Sequence, residues 1–166
     1  MLLTDHIRVE QTRRRVKRVY RRVNAQLGSL CLGKWTQQGC KVLYVVCTNG
    51  DKGSSDNTMT SEDLAQIREK EQEKAANLLG VKELVMLHYP DGELEDTSDL
   101  RQEIVRSIRR FRPDVVLCPD PYRRIFHGHR DHRIVGQVTA DAVFPYARDR
   151  LHFGDLLERE GLEPHK

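Results

Sequence analysis

The regular part of the chain begins near residue 41. "KVLYVVCT" (41–48) is an unbroken apolar run of strand length, rich in Val, the pattern of a strand buried on both faces, as in a parallel sheet. A polar stretch, "NGDKGSSDNT", follows. Ser61, with Glu62 and Asp63 behind it, then opens a predicted helix on which Leu64, Ile67, Ala75, Leu78 and Leu79 recur at helical spacing until Gly80 stops it. "ELVMLHY" reads as the second strand and "PDGELEDTS" as the turn after it. The next helix is predicted from about Asp99 to Phe111, with Leu100, Ile104, Ile108 and Phe111 on one stripe and Pro113 marking its end. "PDVVLCP" reads as the third strand, followed by a histidine-rich loop and a helix carrying Ile134, Val135, Val138, Ala142 and Val143.

Strand, loop and helix repeated in this way describe βαβ units. The predicted fold class is therefore α/β, a Rossmann-like open, mostly parallel sheet with helices on both faces. In such folds ligands gather beyond the carboxyl ends of the strands, and three polar loops (48–58, 89–97 and 119–131) leave from those ends. With 166 residues the chain has the length of one domain with a real core, so residues 1–166 are expected to form a single unit. The tail "GDLLEREGLEPHK" has no closing strand or helix behind it, and the unit is expected to be incomplete at both ends.

Residues 1–24 form an atypical basic segment. In "RRRVKRVYRR" (13–22) every residue but Val16, Val19 and Tyr20 is basic. Val16, Val19, Tyr20, Val23, Leu27 and Leu30 share one helical stripe with the arginines opposite, which predicts a helix over roughly 8–27. Such a helix can bind nucleic acid or an anionic lipid surface, but more often it is a solvated face. The formal net charge of +3 argues against nucleic acid as a partner of the whole molecule. No apolar run is long enough to span a bilayer and none forms a secretory leader, so a cytoplasmic location is expected. Cys31, Cys40, Cys47 and Cys118 are widely spaced without a CxxC pair; they are expected to be reduced, with Cys47 and Cys118 filling the core.

The candidate chemistry is concentrated in "HGHRDHR", His127 to Arg133. Neutral imidazole is a good zinc ligand, and a carboxylate beside it can fix the ring tautomer and raise its basicity. His129 and His132 flank Asp131 at the start of a helix, after a buried strand, which favours a metal function over a merely solvated loop. A catalytic zinc usually takes three protein ligands and keeps a place for water, so further ligands are needed from elsewhere. Taken alone, Arg68 and Glu71 read as a helical-face ion pair, Asp91-Gly92 as a turn dipeptide, and "TNGDKGS" as a nest-like loop with a positioning role.

"VVCTNGDKGSSD", "IREKEQEKAANLLGV", "YPDGEL", "RPDVVLCPDP" and "HRDHR" resemble, in order and spacing, the motifs of the PIG-L/LmbE-like zinc-dependent N-deacetylases. These hydrolases act on the amide C–N bond of N-acetylglucosamine-type substrates. The resemblance runs from about residue 25 to the end. It implies zinc as cofactor, His132 as a metal ligand, His129 as the acid that protonates the leaving amine or stabilises the oxyanion, and Asp131 as the group that tunes the imidazoles. It also implies that Arg68 and Asp91 line the sugar pocket; Asn49, in the loop after the first strand, is taken as a further substrate contact. The expected partner is a small-molecule amino-sugar conjugate, and a homo-oligomer is compatible with it.

One family motif is missing. AHPDDxE would supply a His and an Asp to the metal and an Asp as general base; in register, the chain carries Arg21, Arg22, Val23, Asn24, Ala25 and Gln26. Arginine stays protonated and cannot ligate a cation, and valine has no acceptor. Asp5, His6 and Glu10 are the upstream residues with suitable chemistry, although nothing in the sequence aims them at the histidine loop. The alternatives are an inactive homologue that binds a sugar or a protein, and a nucleic-acid or acidic-surface binder acting through the arginine-rich segment.

Overall fold

A computed structural model describes the backbone of residues 2–5 and the whole of residues 32–122 and 129–166. Among the described residues four strands form one sheet: β1 (Leu2–Asp5), β2 (Lys41–Thr48), β3 (Glu83–Tyr89) and β4 (Val115–Leu117), in the order β3-β2-β1-β4. The helices are α1 (Ser61–Leu78), α2 (Ser98–Phe111), α3 (Arg130–Asp141) and the short α4 (Gly154–Glu158), with a kinked turn over Ala142–Tyr146 in which Phe144 is extended. A further helical stretch covers residues 32–37. No helix among the described residues is long and apolar enough to cross a membrane.

The α/β architecture and its three predicted strands are present. β2 and β3 are parallel, joined through α1. The slot between β2 and β4 is filled by β1, which runs antiparallel to both; the sequence reading had no strand there. The helix predicted over residues 8–27 lies outside the described residues, as do His6, Glu10, Arg21 to Gln26, Cys31 and His127.

β2 is buried on both faces, as its unbroken apolar run requires. Leu43, Val45 and Cys47 join one cluster with Val116, the α2 residues Leu100, Ile104, Val105 and Ile108, and Val135 and Val138 of α3. Val42 and Tyr44, on the alternate positions, meet Leu32, Trp35, Val81, Val115 and Leu117 on the other side. Helices thus cover both faces. The stripes predicted for α2 and α3 are those that pack.

For α1 the predicted stripe is corrected. Ile67 and Leu78 are exposed at 43% and 88%, and Ala75 is exposed as well. The inward face carries Leu64, Ala65, Glu69, Gln72, Ala76 and Leu79, all buried or half-buried; it too follows helical spacing, but includes two polar residues that a search for apolar recurrence passes over. Thr60 caps the helix by accepting the Asp63 amide at 3.1 Å, and Thr36 Oγ1 donates to the Leu79 carbonyl at 2.7 Å where it ends.

α3 is seated by Gly136. A Cβ there would stand 2.4 Å from the Pro119 carbonyl oxygen, so only glycine lets the helix lie against the chain leaving β4. That close approach brings the first turn of α3, with its histidines, to the strand ends.

Candidate active site at the carboxyl ends of the strands

Because β1 is antiparallel to both β2 and β4, and β2 is parallel to β3, the carboxyl ends of β2, β3 and β4 share one edge of the sheet. The loops that leave this edge are tied together by carboxylate-to-amide hydrogen bonds. After β2, the backbone N–H of Asn49 donates to the Tyr89 carbonyl at 2.9 Å, and Asn49 Oδ1 accepts the Asp51 backbone amide at 3.2 Å. Gly50 between them has φ +65, and a Cβ there would lie 3.2 Å from Arg68 Cγ. The stem of Arg68 therefore rests on this loop.

Asp51 reaches across to the loop after β3, where its Oδ1 accepts the Asp91 amide at 2.9 Å; Lys52 Nζ lies 2.9 Å from its Oδ2. The Asp91 amide first, and Lys52 second, hold the Asp51 carboxyl below the usual carboxylate range. On the other side of the same turn stands Asp131, 3% exposed. Its Oδ2 accepts the Gly92 amide at 2.7 Å and its Oδ1 the Leu94 amide at 3.3 Å. Arg130 adds a bond from Nη1 to the Leu94 carbonyl. Two carboxylates, 40 and 39 positions away in sequence, thus hold the turn from both flanks.

His129 is the N-cap of α3. Its Nδ1 lies 3.4 Å from the Asp131 amide and 3.7 Å from Asp131 Oδ2. The amide favours a bare Nδ1 and the carboxylate a protonated one; neither contact is short, and the ring can serve in either form. His132 follows in the first turn, its ring centroid 5.9 Å from that of His129. Both histidines are exposed, while Asp131 is buried.

Ligand-type atoms of Asp91, His129 and Asp131 all lie within 4.8 Å of one another. Ligands about 2.0–2.2 Å from a zinc ion would need to draw together only modestly from that spacing. The donors are one imidazole and two carboxylates, a set suited to a divalent cation such as zinc. Asp131 has already committed both oxygens to amides, but each keeps a second lone pair.

Of the residues singled out from the sequence, Asp91, His129 and Asp131 form this one group, and His132 stands beside it. Asn49 connects to it through Asp51. Arg68 touches the same loop through its stem, while its guanidinium pairs with Glu71 at 2.8 Å on the surface. Asp51 was not singled out. An Asp directly after Asn-Gly at a strand end was the available signal, but its partner is a backbone amide, which no spacing of side-chain types reveals. Cavities of about 400 and 190 Å³ lie along α1 and the loop before it, the smaller one bounded by Asp51 and Lys52.

An open α/β sheet with imidazoles and carboxylates gathered at its strand ends defines a candidate metal-assisted hydrolase site. Residues 26–143 match the family model described as GlcNAc-PI de-N-acetylase, PIG-L, and the chain belongs to that family. It is 38% identical over 132 residues to the diacetylchitobiose deacetylase of Thermococcus kodakarensis, covering 80% of this chain and 48% of that one. It is 33% identical over 114 residues to a probable N-acetyl-alpha-D-glucosaminyl L-malate deacetylase 2 of Bacillus anthracis, covering 66% and 49%. Among solved structures, the N,N'-diacetylchitobiose deacetylase of Pyrococcus horikoshii, complexed with its inhibitor MPG, superposes with a TM-score of 0.78 at 33% identity, over 83% of this chain and 51% of that one. The chain spans about half the length of these relatives.

Proposed function

We propose that this chain carries the metal- and sugar-facing loops of a cytoplasmic de-N-acetylase that hydrolyses the N-acetyl amide of an N-acetylglucosamine-type conjugate. The observation that carries the reading is the convergence of Asp91, His129 and Asp131, with His132 alongside, at the shared strand ends of a PIG-L chain. His132 and Asp131 would hold the metal, taken to be zinc, with His129 and Asp91 beside them. When bound, zinc polarises an amide carbonyl and lowers the pKa of a bound water.

The remaining work falls to the chain's own residues. His129, exposed at the mouth, is placed to pass a proton to the departing amine, and Asp131 steadies its ring. Asp91, Asn49 and Arg68 line the path of the sugar, offering carboxylate, amide and guanidinium to its hydroxyls.

A second reading has its own support. Arg21, Val23 and Asn24 stand where the family's first motif would bring a His and two Asp, so the site would bind an amino sugar without cleaving it. One experiment decides between them. Zinc is titrated into the purified chain while the imidazole NMR signals of His129 and His132 are followed, and acetate release from N,N'-diacetylchitobiose is assayed. Stoichiometric zinc with acetate supports the enzyme. Sugar binding without acetate supports the binding homologue. Less than a tenth of an equivalent of zinc after dialysis and no sugar binding would sink both.

A further inference from the structure

Asp51 takes no part in the chemistry proposed above, yet it spends a nearly buried carboxylate on one backbone amide. Only 10% of its side chain is exposed, and the amide it accepts from belongs to Asp91, 40 positions on. Its own amide is taken up by Asn49 Oδ1, so the carboxylate sits on a loop fixed at its base. The following amides of the turn, Gly92 and Leu94, are held by Asp131. The amide of Asp91 is therefore the one through which Asp51 ties the β2 loop to this turn, and it belongs to the residue whose carboxylate lies within 4.8 Å of a His129 ring nitrogen.

We infer that Asp51 is a positioning residue for Asp91: by binding its amide it fixes the direction in which the Asp91 carboxylate meets a sugar hydroxyl. The inference rests on the proposed role of Asp91 as a sugar contact. Fixing φ and ψ of one turn residue removes freedom that ligand binding would otherwise have to remove. A charged acceptor suits the task, because its bond to an amide is stronger than a neutral one. Lys52, at 2.9 Å from Asp51 Oδ2, gives the carboxylate a second partner and leaves Oδ1 to the amide.

The test uses the full chain, ¹⁵N-labelled, with N,N'-diacetylchitobiose as the probe. In Asp51→Ala the Asp91 amide should exchange with solvent at least tenfold faster, while the Gly92 amide stays protected by Asp131. Affinity for the sugar should fall at least tenfold in Asp51→Ala and stay within about threefold in Asp51→Asn, which keeps an acceptor oxygen. The double variant Asp51→Ala with Asp91→Ala should bind no more weakly than Asp91→Ala alone, because a residue acting through Asp91 has nothing left to position. Should Asp51→Ala not fold, Asp51→Glu, which keeps the charge and moves the acceptor by one methylene, carries the same comparison.

Losses that multiply in the double variant, or an Asp91 amide whose exchange ignores Asp51, would overturn the inference while leaving the sugar site standing. If Asp91→Ala binds as well as the parent chain, or the parent does not bind the sugar, the proposed role of Asp91 is what fails, and the positioning role goes with it.

Discussion

Among the described residues two charged side chains are buried, Arg109 at 1% exposure and Asp131 at 3%, and backbone groups hydrogen-bond both. Arg109, on the inward face of α2, donates to the carbonyls of Tyr146, Ala147, Asp149, His152 and Phe153 at 2.8 to 3.2 Å. Burial pushes its guanidinium down from the usual range. Asp131 accepts two amides and retains lone pairs beside His129. Each of the cation's three nitrogens is bonded to carbonyls and the group is closed off from solvent, which leaves it out of reach of a ligand. The carboxylate's acceptors are half spent, at an open edge among other donors. Burial of a charge is common to both; what marks the second as a site is the valence left over.

The largest effect should come from Arg109. Arg109→Met leaves five carbonyls without their donor and should destabilise the fold by about 3–5 kcal/mol, read as a shift in the urea midpoint. Zinc bound per folded molecule should not change. Metal loss without loss of stability would reverse the contrast with Asp131.

Asp131→Asn should act on both counts. An amide in place of the carboxylate can accept from Gly92 or Leu94 but not from both without turning its own NH₂ toward an N–H. A stability loss of about 1.5–3 kcal/mol should coincide with loss of zinc uptake and faster exchange at Gly92 and Leu94. Full zinc uptake in a stable Asp131→Asn chain would show that Asp131 is as purely structural as Arg109.

A smaller effect follows from acid. The folded chain holds Asp51 below the unfolded carboxylate value of about 3.9. The ionised form is thus the one that folding favours. Its contribution is fully present above that unfolded value and is lost as pH falls through the lower folded one. Between pH 7 and 5 the parent chain and Asp51→Asn should differ in urea midpoint by a constant amount, and the difference should shrink below about pH 4. A difference that persists unchanged at lower pH would show that the carboxylate charge contributes nothing.

Much of this was legible in the chain itself, and the rest was hidden for physical reasons. β2 and β3 and the faces of α2 and α3 follow from apolar runs and apolar recurrence, because burial there is paid in side chains. The histidine loop stands out by composition. Arg109 does not, since it sits on a stripe with Ile104, Val105 and Ile108 and looks like a charge at that face's margin; its five partners are carbonyls of a segment some forty residues away. Asp51 is hidden for the same reason. β1 was missed because four residues ahead of a basic segment carry no periodic signal, and its place is set by the open edges of β2 and β4. For α1, Leu64 and Leu79 of the predicted stripe face inward but Ile67, Ala75 and Leu78 do not, since Glu69 and Gln72 share the buried side with Leu64 and Ala76.

The smallest effect tests the exposed end of the same comparison. Arg68 and Glu71 pair at 2.8 Å with side-chain exposures of 52% and 56%, so the bond competes with water and is worth under about 0.5 kcal/mol. Glu71→Gln should leave the urea midpoint almost unmoved. If the guanidinium serves the sugar, releasing it from Glu71 should leave affinity for N,N'-diacetylchitobiose equal or slightly higher, whereas Arg68→Ala should lower it. The stem of Arg68 also lies on Gly50, so Arg68→Met, which keeps an apolar stem without the charge, separates the two contributions. Arg68→Met binding like the parent would reduce Arg68 to packing on the β2 loop; binding like Arg68→Ala would show that an exposed charge with spare donors does what the buried Arg109 cannot.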